Sequence, residues 1–129
     1  MAKRIREKAI ARKENADKRP SAYLPNVKIS VSKVRLVLDQ VRGKKAQDAV
    51  AILSFMPNSS APIVKKLILS AMANAEVKGM DKDALKVAEI YCTQGPIYNK
   101  KLNVRGRGRA DVIVRRGSHI TVILDQVEA

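Results

Sequence analysis

KVAEIYCTQ at residues 86–94 and SHITVILDQV at 118–127 are the two stretches whose pairing decides the fold. Both carry the β-branched residues of strands, and Ile120, Val122 and Leu124 alternate onto one face of the second. Paired antiparallel, they carry the intervening segment to the far end of a hairpin. Strands of about 15 residues, at roughly 3.3 Å each, reach on the order of 50 Å. That exceeds the needs of a small domain, and a two-stranded ribbon is marginal alone in water. Such a ribbon needs support from outside the chain. The segment it carries, KKLNVRGRGRADVIVRR at 100–116, holds seven Lys and Arg with only Asp111 to oppose them. A merely solvated loop accounts for short charge runs, not for these.

Three helical patterns precede the ribbon. In SVSKVRLVLDQVRGKK, Val34, Val37, Leu38 and Val41 fall at i, i+3, i+4 and i+7; Ser30 can cap the start and Gly43 the end. A short second helix gathers Ala46, Ala49, Val50 and Leu53 on one face and stops at Pro57. The third, from about Ser60 to Lys78, is lined by Ile63, Val64, Leu67, Ile68, Ala71, Met72 and Ala75. Pro62 sits in its first turn and Gly79 at its exit. Ahead of all three, AYLPNVKI offers Tyr23, Val27 and Ile29 as strand residues, and Pro25 confines it to a sheet edge.

The charge is uneven. Of 129 residues, 26 are basic and 12 acidic, giving +14 and a pI near 10.3. Residues 1–20 hold +5 and residues 95–118 hold +6, which leaves only +3 for the rest. A balance of this kind indicates a polyanionic partner, nucleic acid first and anionic membrane second. MAKRIREKAIARKENADKRP has few apolar anchors, although IREKAIARKENA is rich in helix formers. A frayed arm and a short helix are both open to it, and either can order on a polyanion. The chain is therefore read as a basic N-terminal arm at 1–20, disordered when free, and a single domain at 21–129. That domain includes an extended hairpin at about 86–125 with its tip at about 100–107.

A hydrophobic content of 46% suffices for a modest core. No apolar run approaches the roughly 18 residues of a membrane span. The N-terminus lacks the apolar segment of a signal peptide, and Glu7, Glu14 and Asp17 argue against an organelle transit sequence. A single cysteine, Cys92, reads as a buried reduced thiol, consistent with the cytosol. His119, the one histidine, has no nucleophile or carboxylate motif around it and reads as structural. One Cys and one His cannot build a structural zinc site, and GRG between arginines is too short for a nucleotide-phosphate loop. No enzyme and no cofactor is expected.

Gly106 and Gly108 let the backbone turn with positive φ and approach a phosphate, or else mark a flexible arginine-glycine segment. The four aromatics, Tyr23, Phe55, Tyr91 and Tyr98, are too few for a base-stacking platform. No helix shows the Arg, Asn and Gln face of a major-groove reader. Binding by phosphate contacts and shape is what remains.

Several phrases together resemble one family. SVSKVRLVLDQVRGK at 30–44, LSAMANAE at 69–76, GP at 95–96, GRAD at 108–111 and SHITVIL at 118–124 occur in its order and at suitable spacing. The chain is similar, over about residues 21–125, to the bacterial large ribosomal subunit protein L-twenty-two family. The resemblance implies an α+β fold, three helices packed on a small three-stranded antiparallel sheet with a long protruding β-hairpin. It implies a structural constituent of the large subunit that binds large-subunit rRNA, acts early in assembly and lines the nascent-peptide exit tunnel with its hairpin. The implied partners are rRNA, neighbouring large-subunit proteins and the nascent peptide. Neither membrane binding nor a homo-oligomer is expected, and the location is the cytoplasmic ribosome.

Carried over by position, Lys100, Lys101, Arg105, Arg107 and Arg109 are the hairpin's RNA-contacting cations, with Arg115 and Arg116 closing the stretch. Leu102, Asn103, Val104, Arg105 and Gly106 lie at or near the tip in the tunnel wall. Lys33, Arg35, Arg42 and Lys44 flank the first family helix, whose capped N-terminus offers free N–H groups to a phosphate. Three departures stand out. Val104, Arg105 and Gly106 replace the family's Pro-Arg-Ala, which makes the tip more pliable. The stretch IYN after Gly95-Pro96 is one residue longer, which adds a bulge or shifts the register of the tip. Val31 and Ser32 replace Pro-Arg, removing one phosphate contact. The runner-up is a free-standing regulatory or architectural nucleic-acid binder, which lacks a salt-resistant shape term.

Overall fold

The computed structural model describes residues 2–126; Val127, expected to close the last strand, and residues 128–129 of the expected domain lie outside them. The N-terminal arm forms α1 (Ala2–Glu14), the helical one of the two forms open to its composition. After it come β1 (Ser21–Val27), α2 (Val31–Val41), α3 (Ala46–Phe55), α4 (Ala61–Val77), β2 (Leu85–Val104) and β3 (Ala110–Gln126). One 3₁₀ turn, Lys82–Ala84, leads into β2. The strands form one antiparallel sheet in the order β1-β3-β2. Helices α2, α3 and α4 cover one face of it, so the expected α+β fold is the one observed.

Each apolar stripe meets the sheet. Val34, Val37, Leu38 and Val41 of α2 and Val64, Ile68, Ala71 and Ala75 of α4 are fully buried with Val87, Ile120, Val122 and Leu124. Helix α4 ends in a Schellman arrangement. Gly79, at φ 77°, donates to the Glu76 carbonyl (2.8 Å), and Met80 to that of Ala75 (3.1 Å). Ser30 occupies the N-cap of α2, but its hydroxyl makes no capping hydrogen bond; only its carbonyl accepts, from Lys33 and Val34.

Strand β2 is longer than the β3 it pairs with because three single-residue bulges interrupt it. Register shifts occur at Val87/Glu89, Gln94/Ile97 and Ile97/Asn99. The first flips the alternation, so Leu85 and Val87 point into the core and, one parity later, so do Ile90 and Cys92. The second takes up Gly95 and Pro96, where no ladder N–H is required of the proline. The expected bulge after Gly95-Pro96 is present. On β1 the same logic holds: the shift between Leu24 and Val27 absorbs Pro25 and Asn26, the latter at φ 57°.

The hairpin tip lies further along the chain than expected. The turn is at Arg105–Arg109, whereas Lys100, Lys101, Leu102, Asn103 and Val104 are strand residues opposite Val114, Ile113, Val112, Asp111 and Ala110. Pairing continues because Leu102 and Val104 meet Val112 and Ala110 across the ribbon, apolar pairs that favour strand. The chain reverses through Arg107 (φ 58°) and Gly108 (φ 69°), with the Arg109 N–H donating to the Gly106 carbonyl (3.4 Å). Two consecutive positive-φ residues make this the hairpin-compatible type I′ geometry. Gly106, expected to share the positive φ, stands just before it.

Candidate nucleic-acid interface

The fold sorts the expected cations into three places. At the N-terminal end of α2, Lys28, Ile29, Ser30, Lys33, Ser59, Val114, Arg115 and Arg116 line a cleft of about 470 Å³. A smaller one, about 230 Å³, lies on the other side of Ser30 and is lined by Val31, Ser32, Arg35, Gln94 and Arg116. Arg116 stands between the two. Lys33 and Arg35 arrive on the first turns of α2, Arg115 and Arg116 on β3 where the ribbon leaves the body. Because the Ser30 hydroxyl caps nothing, the first-turn N–H groups of α2 face this basic corner without a side-chain partner, an arrangement suited to a phosphate.

Arg42 and Lys44 are elsewhere. They sit past the C-terminal end of α2, about 16 Å along the axis at 1.5 Å per residue. Arg42 is ion-paired with Asp39 (2.8 Å) and donates to the Ile90 carbonyl (3.3 Å), tying α2 to β2. The Lys44 carbonyl accepts from the Val87 N–H (2.9 Å), and Gly43 donates to the Val87 carbonyl (3.1 Å), closing the outer edge of β2.

The third group is the ribbon, which has two unlike faces. Opposed residues share a face, so Lys101, Asn103, Asp111, Ile113, Asn99 and Arg115 line one. Lys100, Leu102, Val104, Ala110, Val112 and Val114 line the other, and it is mostly apolar and mostly exposed. Arg105 is ion-paired across the ribbon with Asp111, which leaves Arg107 and Arg109 as the turn's cations without an acidic partner among the described residues.

A clasp fixes the ribbon's root. The Tyr98 hydroxyl donates to the Asn26 carbonyl (2.6 Å), and the Asn26 N–H donates to His119 Nδ1 (3.0 Å). The Tyr98 ring lies over Gly117, where a β-carbon would come within 2.9 Å of the Val27 carbonyl as well. His119 thus has a structural task. Lys28 Nζ stands 5.8 Å from the Tyr98 ring centroid and lines the larger cleft. Sequence reading missed Lys28 by treating it as the end of an edge strand; its place two residues before Ser30 was the available signal. Cys92 is buried, and burial pushes its thiol pKa up, away from reactivity.

The sequence matches the model of the family described as ribosomal protein L22p/L17e over residues 22–125. The chain belongs to the ribosomal protein L22p/L17e family. Its similarity to curated members is high. It is 48% identical over 99 residues to the large ribosomal subunit protein uL22 of Desulforamulus reducens, covering 76% of this chain and 87% of that one. With uL22 of Lachnospira eligens it shares 45% over 120 residues, 91% and 93% of the two chains. With uL22 of Agathobacter rectalis it shares 43% over 132 residues, 98% and 99%. The L22p/L17e match takes in the three-helix body, the sheet from Ala22 to Asp125 and the ribbon. It leaves out α1.

Proposed function

We propose that this chain is a structural constituent of the large ribosomal subunit, bound to large-subunit rRNA and to neighbouring ribosomal proteins, and not an enzyme. The observation that carries the reading is the gathering of Lys28, Lys33, Arg35, Arg115 and Arg116 around the N-terminus of α2, at the root of a ribbon that needs outside support. Phosphates seat at this corner, and Lys101, Arg107 and Arg109 continue the track along the ribbon. Lys100, on the apolar face, and Arg105, held by Asp111, flank it; Arg42 and Lys44 provide a lesser contact at the far end of α2. Leu102, Asn103, Val104, Arg105 and Gly106, with the turn beyond them, line the nascent-peptide tunnel. The protein acts there as a single copy, and assembly of the subunit depends on the ribbon being enclosed by RNA.

The test is salt dependence. Each phosphate contact contributes roughly 0.7–0.9 to the slope of log affinity against log salt. The K33Q/R35Q/R115Q/R116Q variant should therefore lower the slope for large-subunit rRNA by about 3 in magnitude. An unchanged slope removes the corner from the interface. Equal affinity for assorted duplex DNA would favour a free-standing binder instead.

A further inference from the structure

Helix α1 lies outside the family match, which begins at residue 22, and every side chain from Lys3 to Lys18 is exposed. A 13-residue helix with no packed face is marginal in water, so it needs a partner. Its root, by contrast, is fixed to the body. Arg19 is ion-paired with Asp17 (2.6 Å) and with Glu89 of β2 (2.7 Å). Lys78 Nζ donates to the carbonyls of Lys18 (2.7 Å) and Arg19 (3.1 Å), and the Leu124 N–H to that of Pro20 (2.9 Å). Glu89 and Leu124 belong to the end of the sheet opposite the ribbon's turn. The arm therefore leaves the body at the far end from the hairpin.

Charge on α1 is arranged, not scattered. On the 3.6-residue repeat, Ile5 and Ala9 stack in the middle of an acid-free face, with Arg12 and Lys8 to one side and Lys13 and Arg6 to the other. Glu7 and Glu14 share the opposite edge with Lys3. The apolar content of that face is too thin for a membrane or a protein groove. Arg12 and Lys13 also complement the helix C-terminus. With no aromatic residue, α1 lacks a platform for single-stranded bases, and its row of cations is better matched to the sugar-phosphate backbone of paired RNA.

We propose that α1 lies lengthwise on double-helical RNA, with Arg6, Lys8, Arg12 and Lys13 on phosphates and the Glu7–Glu14 edge turned outward. It is a contact separate from the hairpin's. The inference rests on RNA being the partner of the body, and the test distinguishes the two. Binding of the full chain to an RNA duplex of mixed sequence is titrated at several salt concentrations, with helical circular dichroism followed alongside. Two variants of equal charge are compared, R12Q/K13Q and K3Q/R4Q, together with the ribbon variant K101Q/R109Q/R115Q.

The first variant should lower the salt slope by about 1.5, the second by less than about 0.5. Only the first should lose helix gained on adding duplex. Equal effects from both overturn the face assignment, and no effect from either overturns the arm's RNA contact. Tighter binding to a single strand of the same length overturns the paired-RNA choice. If the ribbon variant still lowers the slope when the arm variants do not, the body's reading stands while this one falls. If no variant moves it, both fail.

Discussion

Gly117 is a position where one missing methyl decides the local structure. A β-carbon there would overlap the Tyr98 ring and crowd the Val27 and Pro96 carbonyls. G117A should cost about 1–3 kcal/mol in urea unfolding through overpacking. Y98F keeps the ring over the glycine and loses only the bond to Asn26, so about 0.5–1.5 kcal/mol is expected. At Asp17 the same scale is electrostatic. Hydrogen bonds from Arg19 hold its carboxyl pKa down from 3.8 to about 2. Because the folded value is the lower one, the pairing favours the anchored root above pH 3.8 and is lost as pH falls through about 2. Carboxyl NMR of Asp17 should titrate near 2 in the native chain and near 3.8 in R19A.

Elements differ in how plainly the sequence announced them. Helices α2, α3 and α4 were legible because their apolar residues repeat at the helical period over two turns or more, with Pro62, Gly43 and Gly79 as punctuation. I68A, at the centre of α4 and fully buried, should cost about 2–5 kcal/mol in the same unfolding measurement. The sheet was legible as strands but not in register. A bulge adds one residue without changing composition, so the parity flip between Val87 and Ile90 has meaning only once β3 lies alongside. The turn was misplaced for a related reason: the glycines drew attention to Gly106, but the geometry needs two consecutive positive-φ positions, and Arg107 fills one. R107G should relieve about 1 kcal/mol there, read as slower amide exchange across the Val104–Ala110 pair. Its cost is a cation at the turn.

For the whole molecule, the basic corner was the least legible feature. Lys33 and Arg115 are 82 positions apart, and only the antiparallel return of β3 past the start of α2 brings them to one cleft. The individual cations could be named from charge and resemblance; their division into a gathered set and the outlying Arg42 and Lys44 required the fold. That division gives the molecule two basic ends, the hairpin with its root and the anchored α1, separated by a body of low net charge. Enclosure of the ribbon, as proposed, would hold a chain built this way by shape as much as by counterion release. The most direct measurement is the sedimentation of the tagged, full-length chain in a sucrose gradient of native extract, before and after a high-salt wash. Co-sedimentation with the large subunit in stoichiometric amount through the wash is the predicted result. Release into the light fractions at moderate salt would contradict an integral, RNA-enclosed role and favour a free-standing nucleic-acid binder.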